Sequence, residues 1–389
     1  MTKIRVLLFF LGILVVGFFG YLAVTYAKGY RLDFKTLRIV SKGILVVKTD
    51  PTGAQVFVNK DLIGASDSNF PLSPGTYDVE IRKNGFITWY KRLSVEKETI
   101  TEVRADLFKS TPSFSPITQD GVTQPVSSDN FSQIAYAGKD GLWILENINF
   151  PIGFAKDPRK ITDGDIISST SLGTTWQFSP EGREILLDTP NGSFLLDSGK
   201  LTPQSQRINI ASKKAATLET WNKEREVKFS AQIRNLPPEL TDILQRKVSW
   251  VKFSPDETKI LYTASASGTL NINLIKPIPG ASTQNEDRNI KIDHTYVYDI
   301  KEDRNFLLDT TANWQKRTLF WLPNSRNLVL GDEGRIIIMD YDGTNRQVVF
   351  SGGYTPPYVF PYLNGEKLII LTNLGADSQT PNLYSISIK

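Results

Sequence analysis

The stretch Trp176-Gln177-Phe178-Ser179-Pro180-Glu181-Gly182-Arg183-Glu184-Ile185-Leu186-Leu187 decides the fold, because it recurs. It returns as Trp250-Val251-Lys252-Phe253-Ser254-Pro255-Asp256-Glu257-Thr258-Lys259-Ile260-Leu261-Tyr262, and again from Phe320 to Leu330. Weaker copies run from Val126 to Tyr136 and from Tyr362 to Leu371. Each copy is a short apolar strand, a polar turn rich in Pro, Asp, Asn or Gly, and a second apolar strand. In Ser179-Pro180-Glu181-Gly182 the proline and glycine stand where a type I turn favours them.

Several copies are followed by a second hairpin, most clearly from Gly334 to Phe350 through the turn Asp340-Tyr341-Asp342-Gly343. Paired hairpins repeating at roughly 40 residues or more are the signature of a β-propeller, since one blade cannot bury both faces by itself. Residues 125–389 are therefore expected to form five or more blades. The repeats resemble those of TolB-like and WD40-like propellers, in which a Ser-Pro-Asp-Gly turn precedes a strand. Two inserts break the period. The first, at about 211–247, contains Pro237-Pro238 at a helix start and Leu240, Ile243 and Leu244 on one face. It reads either as a partner-binding arm or as a helical pair folded back on its own domain. The second, 277–293, is polar and reads as a mobile loop.

Residues 43–108 read as a separate small β-sandwich. Ile44-Leu45-Val46-Val47 and the alternating Ala54-Gln55-Val56-Phe57-Val58 are strands, and Asn84-Gly85 is a strong hairpin turn. The turn Pro51-Thr52-Gly53-Ala54, the element Leu72-Ser73-Pro74-Gly75-Thr76-Tyr77 and Gly85-Phe86 resemble the PEGA domain family. The tract Ala65–Phe70 departs from that family's pattern and is expected to form a longer or differently shaped loop. The resemblance implies a scaffold or binding role in an envelope, with no catalytic site. Trp89 and Tyr90 read either as an exposed pair that stacks on sugars or as core. Residues 109–124, rich in Ser, Thr and Pro, read as a linker, with room for one strand.

Upstream, Val6–Ala27 carries no charge and is long enough, at about 1.5 Å per residue, to span a hydrocarbon core of roughly 30 Å. Residues 1–28 are read as a transmembrane signal anchor; the rival is a cleavable signal peptide, whose apolar region is typically shorter, about 7–15 residues. Lys28, Arg31, Lys35 and Arg38 favour a cytoplasmic C-terminal side by local charge. The short tail Met1–Arg5 and the length of the following domains favour export.

The chain has no cysteine and one histidine, His294, which excludes disulfides, thiolate catalysis and any multi-histidine metal site. With 45 basic and 41 acidic residues there is no basic stripe for nucleic acid. No Gly-x-Ser-x-Gly elbow or phosphate loop occurs. Ser254-Pro255-Asp256 has Thr258 where a sialidase-type turn needs glycine, and Asp340-Tyr341-Asp342-Gly343 lacks the later glutamate of a calcium loop. No catalytic, cofactor or metal residue is nominated and the ligand-binding residues stay open. The sequence thus points to an all-β, non-enzymatic, single-pass envelope protein whose extracytoplasmic domains bind protein or cell-wall polymer. The alternative is a propeller hydrolase acting on envelope glycans or peptides.

Overall fold

The structure is a computed structural model that describes every residue except 1, 28–29, 34–37, 148–156, 165, 167–172, 277–281, 312–315 and 376–379. The chain divides into two compact units: residues 1–107 with 276–285, and residues 108–275 with 286–389.

The first unit opens with helix α1 (Thr2–Ala27). Its window Phe9–Tyr26 is long and apolar enough to cross a membrane, and its large apolar side chains, such as Phe10, Leu14 and Val16, lie exposed. A short hairpin, β1 (Tyr30–Asp33) and β2 (Arg38–Ser41), follows. Then come β3 (Gly43–Asp50), β4 (Gln55–Val58), β5 (Asp61–Ala65), β6 (Ser68–Leu72), β7 (Gly75–Arg82), β8 (Trp89–Val95) and β9 (Ile100–Asp106). They form two sheets, ordered β6-β3-β9 and β5-β4-β7-β8. Strand β3 runs parallel to β9 and antiparallel to β6. The period-two pattern puts Leu45, Val47, Val56, Val79, Ile81, Trp89 and Leu93 between the sheets.

The tract Ala65–Phe70 is not a long loop. Two residues, Ser66 and Asp67, carry the chain from one sheet to the other, and Asp67 adopts a left-handed φ of 63°. The Ser66 amide donates to Ala54 O (2.7 Å) and the Asp67 amide to Val47 O (2.7 Å). The Ser66 hydroxyl accepts from the Ala54 amide at 2.9 Å and shares a hydrogen bond of 2.6 Å with Thr49. Polar groups thus anchor the crossover to the Pro51–Ala54 turn.

In the second unit β10 (Ser113–Pro116) comes first but belongs to the last sheet. Blade 1 is β11 (Thr123–Ser127), β12 (Gln133–Gly138), β13 (Gly141–Glu146) and β14 (Arg159–Asp163). Blade 2 is β15 (Thr175–Phe178), β16 (Glu184–Thr189) and β17 (Gly192–Asp197). Helices α2 (Lys214–Ile233) and α3 (Pro238–Arg246) follow. Blade 3 is β18 (Val248–Phe253) and β19 (Lys259–Ala264), a small inserted pair β20 (Gly268–Thr269) and β21 (Asn289–Ile290), then β22 (Thr295–Asp299) and β23 (Arg304–Asp309). Blade 4 is β24 (Thr318–Trp321), β25 (Asn327–Asp332), β26 (Arg335–Asp340) and β27 (Gln347–Ser351). Blade 5 is β28 (Val359–Pro361), β29 (Lys367–Thr372) and β30 (Asn382–Ser387), with β10 as its fourth strand. Five blades are present among the described residues.

Successive side chains on each strand face opposite neighbours, so the cores report the ring order. Ala135, Leu142 and Ile144 of blade 1 pack on Trp176, Ile185 and Leu187 of blade 2. Leu261 and Val297 of blade 3 pack on Leu319, Trp321 and Leu330 of blade 4. Phe320, Val329 and Ile338 of blade 4 meet Val359, Leu368 and Ile386 of blade 5. Ile369, Leu371 and Leu383 of blade 5 meet Ile134, Tyr136 and Leu145 of blade 1. The remaining face of blade 3, with Ile260, Tyr262, Tyr296 and Tyr298, packs on Ile233, Leu240, Ile243 and Leu244 of the two helices. The helical insert, which lies between blades 2 and 3 in sequence, thus covers a face of blade 3 in place of a neighbouring blade.

The recurring turn has one backbone geometry in all five blades. Counting from Ser128, Ser179, Ser254, Leu322 and Tyr362, the amide three residues on donates back to that residue's carbonyl, at 3.0, 2.9, 2.8, 3.1 and 2.9 Å. In each case the first residue's amide donates to the carbonyl five residues on, at 2.8–3.0 Å. The fourth residue is left-handed every time: Phe131, Gly182, Glu257, Ser325 and Gly365 have φ of 58°, 74°, 56°, 59° and 69°. Glycine takes this φ without steric cost. Asn130, Asp256 and Asn324, in the copies without glycine, accept from the amide two residues on at 3.0, 3.2 and 3.0 Å, and Asn364 of the Gly365 copy does the same at 3.0 Å.

Two further expectations need correction. Residues 109–124 are not a linker. Phe108 lies in the core between blades 4 and 5, β10 pairs with β30, and the Ile117 and Val122 amides donate to Leu383 O and Pro381 O, both at 2.8 Å. Nor is 277–293 free along its length. Ser282 pairs with Leu93 and the Thr283 hydroxyl donates to Arg92 O (2.7 Å), while Asn289–Ile290 forms β21; residues 277–281 lie outside the described set.

Candidate functional site

The two ends of the propeller differ because the insert covers one of them. At the end carrying the recurring turns, Arg225 of α2 pairs with Asp129 of blade 1 (3.1 Å), and Gln232 donates to Glu257 of blade 3 (2.8 Å). Phe131 approaches Phe320 of blade 4, ring centroids 5.3 Å apart, and the Lys252 ammonium lies 4.4 Å from the Phe131 centroid. Burial pushes the Lys252 amine below its ordinary value, against the opposing charge of Asp129. Beside blade 2 the insert leaves a cleft of about 860 Å³. Trp221 and Glu224 of α2 and Leu195 and Asp197 of β17 line it.

At the opposite end, where the innermost strands begin, two clefts open. One, of about 400 Å³, is lined by Ser249, Trp250, Arg317, Thr318 and Leu319. Arg317 donates to Asp309 (2.6 Å) and lies 3.4 Å from Asp332, so its charge is matched. The other, of about 780 Å³, lies between the chain segment 117–121 and the hairpin of β12 and β13. Tyr136, Trp143, Asp120, Gln119, Lys139 and Asp140 are among its walls. The Trp143 indole donates to Asp140 (3.2 Å), and the Lys160 ammonium sits 5.1 Å from the Trp143 ring and pairs with Asp140. The hydrogen bond from Lys160 holds the Asp140 carboxyl below the usual carboxylate range. Tyr136 is 5% exposed, and burial, with Asp120 adding negative charge, pushes its phenol well above its ordinary value.

The residues singled out in the sequence do not converge. Trp89 is 3% exposed in the sandwich core, while Tyr90 is exposed. His294 precedes β22, and its Nδ1 lies 3.0 Å from Ile292 O. Asp342 accepts from the Thr344 backbone amide (3.2 Å) and hydroxyl (2.6 Å), as a turn former does, and Asp340 accepts from the side-chain Nδ2 groups of Asn327 (3.0 Å) and Asn345 (2.9 Å). Asp256 is occupied by Ser254 and Thr258. Phe178 and Phe253 occupy equivalent turn-flanking positions, but Phe178 is 3% exposed while Phe253 is only half-buried, because helices rather than a blade face it. Among the described residues no group of three or more His, Asp or Glu could hold a metal ion. Tyr136 and Trp250 lie in copies of the recurring stretch and Tyr136 faces Trp143 across the β12–β13 hairpin, but nothing in the sequence shows that Asp120 joins the first cleft or Arg317 the second.

Residues 42–111 match the PEGA domain family. No curated protein matches the chain. Among solved structures, TolB from Acinetobacter baumannii is 10% identical, covering 89% of this chain and 63% of that one, with a TM-score of 0.24. Hsv2 from Kluyveromyces lactis is 8% identical, covering 66% and 71%, with a TM-score of 0.26. The β-propeller domain of Cps50 (Swd1) from Myceliophteria thermophila is 13% identical, covering 69% and 73%, with a TM-score of 0.20. The chain joins a PEGA domain to a β-propeller whose five blades are defined by its own sheets.

Proposed function

We propose that the protein is a non-enzymatic envelope protein, held by α1 as a single-pass anchor, whose extracytoplasmic PEGA domain and propeller bind protein or cell-wall polymer. The observation that carries this reading is α1 itself. Its large apolar side chains from Phe9 to Tyr26 are exposed on all sides, and a hydrocarbon environment is the one in which that surface costs nothing. The clefts support binding over catalysis. Their charges are largely matched, as in Arg317 with Asp309 and Asp140 with Lys160, which suits recognition more than proton transfer.

The test compares the full chain with one lacking residues 1–28. The full chain is expected to stay in the membrane pellet through an alkaline carbonate wash. The shortened chain is expected in the soluble fraction with an unchanged β circular dichroism spectrum, because both cores lie downstream. A shortened chain that stays in the pellet or loses its near-ultraviolet spectrum contradicts the reading.

A further inference from the structure

The cleft beside Tyr136 brings a phenol, an indole and a carboxylate to one wall. Tyr136 lines the cleft with a ring that is otherwise buried, the residue being 5% exposed, and its hydroxyl has no hydrogen-bond partner among the described residues. A phenol hydroxyl without a protein partner at a cleft wall is available to donate to and accept from a ligand. The raised phenol value keeps it protonated and able to donate as well as accept.

The surroundings define that partner's chemistry. Asp140 is neutralised by Lys160, which leaves one carboxylate, Asp120, and one ammonium, Lys139, on the walls. This balance gives no preference for a polyanion or a basic peptide. Asp120 and Gln119, both exposed, supply acceptors and donors of the kind that bind neighbouring hydroxyls. Trp143 supplies a flat apolar wall. It is fixed by Asp140 and Lys160 and seated against Gly138, where a Cβ would come within 2.7 Å of the indole. The volume, about 780 Å³, falls within the range of about 300–1,000 Å³ usual for small-ligand sites.

We infer that this cleft binds an uncharged, hydroxyl-rich sugar segment of a glycan, with the Tyr136 hydroxyl and the Asp120 carboxylate as its hydrogen-bonding contacts and Trp143 as its apolar wall. The inference rests on the wall-polymer reading of the function and gives that reading a site.

The test uses the full chain in a zwitterionic detergent, since sugar-headed detergents would compete. Two probes are used: insoluble peptidoglycan in co-sedimentation, and a fluorescent uncharged oligomer of N-acetylglucosamine in fluorescence polarisation. The native chain is expected to bind both. Tyr136→Phe, which keeps the ring, is expected to weaken oligomer binding about tenfold, the worth of one hydrogen bond in a buried site. Asp120→Asn is expected to weaken it as well, and Trp250→Ala, in the other cleft, to leave it unchanged. Thermal midpoints verify that each variant is folded. A native chain that does not bind the oligomer, or a Tyr136→Phe chain that binds as the native one does, overturns the site. Displacement of the oligomer by free stem peptide overturns the sugar assignment. Sedimentation with peptidoglycan that neither substitution changes sinks this site but leaves the wider reading intact, whereas failure of the native chain to sediment sinks both.

Discussion

A fragment starting at residue 125 is expected not to fold, whereas one starting at Phe108 is expected to fold cooperatively. The difference is the segment 108–124. Its strand β10 is hydrogen-bonded to β30 in the register Ser113↔Ser387 to Pro116↔Tyr384. The Lys109 amide donates to Ile388 O (2.9 Å), and its ammonium reaches the Ser387 hydroxyl (2.9 Å). Phe108, 2% exposed, fills the core between blades 4 and 5, and Val122, 1% exposed, that between blades 5 and 1. Phe114 packs on Phe350 of blade 4 at 5.5 Å. Loss of a buried phenylalanine alone costs about 3–5 kcal/mol, against a total stability of about 5–15 kcal/mol, and the hydrogen bonds to β30 go with it. Urea melts read by tryptophan fluorescence decide the matter. Equal midpoints for the two fragments would mean that residues 108–124 are a linker after all.

The second large effect is expected in the helical insert. Leu240 and Leu244 are 0% and 1% exposed and pack against Tyr262, Tyr296 and Ile260 of blade 3. Leu240→Ala and Leu244→Ala are each expected to destabilise the propeller by about 2–5 kcal/mol, through lost transfer energy and the cavity left behind. Val227→Ala, at a position 64% exposed on α2, is expected to change little. An arm that only binds a partner would give near-neutral changes at all three positions. The same melts therefore separate an arm from a wedge.

The sequence made the blades legible where the recurring turn is spelled with proline and glycine, as at Ser179–Gly182. It blurred them at Ser128–Phe131 and Leu322–Ser325, where the backbone is the same but Phe131 and Ser325 occupy the left-handed position. There the turn is held by an Asx hydrogen bond from Asn130 or Asn324 without any glycine, and composition does not show it. The amphipathic face of α3 was readable from the spacing of Leu240, Ile243 and Leu244, but its occupant, blade 3, was not. The closing strand was hidden for a different reason. Ser113–Pro116 is short and polar with every residue exposed, so it has no apolar alternation to read. It becomes a strand because β30 offers an open edge. The cleft residues were illegible for the same reason: Asp120 precedes the first blade and Tyr136 lies within it, and only ring closure places them on one cleft.

The central claim is that an anchored propeller faces outward, and the absence of cysteine makes it directly measurable. A single cysteine is introduced either at Val227, exposed on α2, or at Thr2, ahead of the apolar stretch, in the full chain. Spheroplasts are treated with a maleimide that cannot cross the membrane, before and after permeabilisation. Val227→Cys is expected to react in intact spheroplasts, and Thr2→Cys only once the membrane is opened. Reaction of Thr2→Cys in intact spheroplasts, with Val227→Cys protected until lysis, would place the propeller in the cytoplasm and contradict the account.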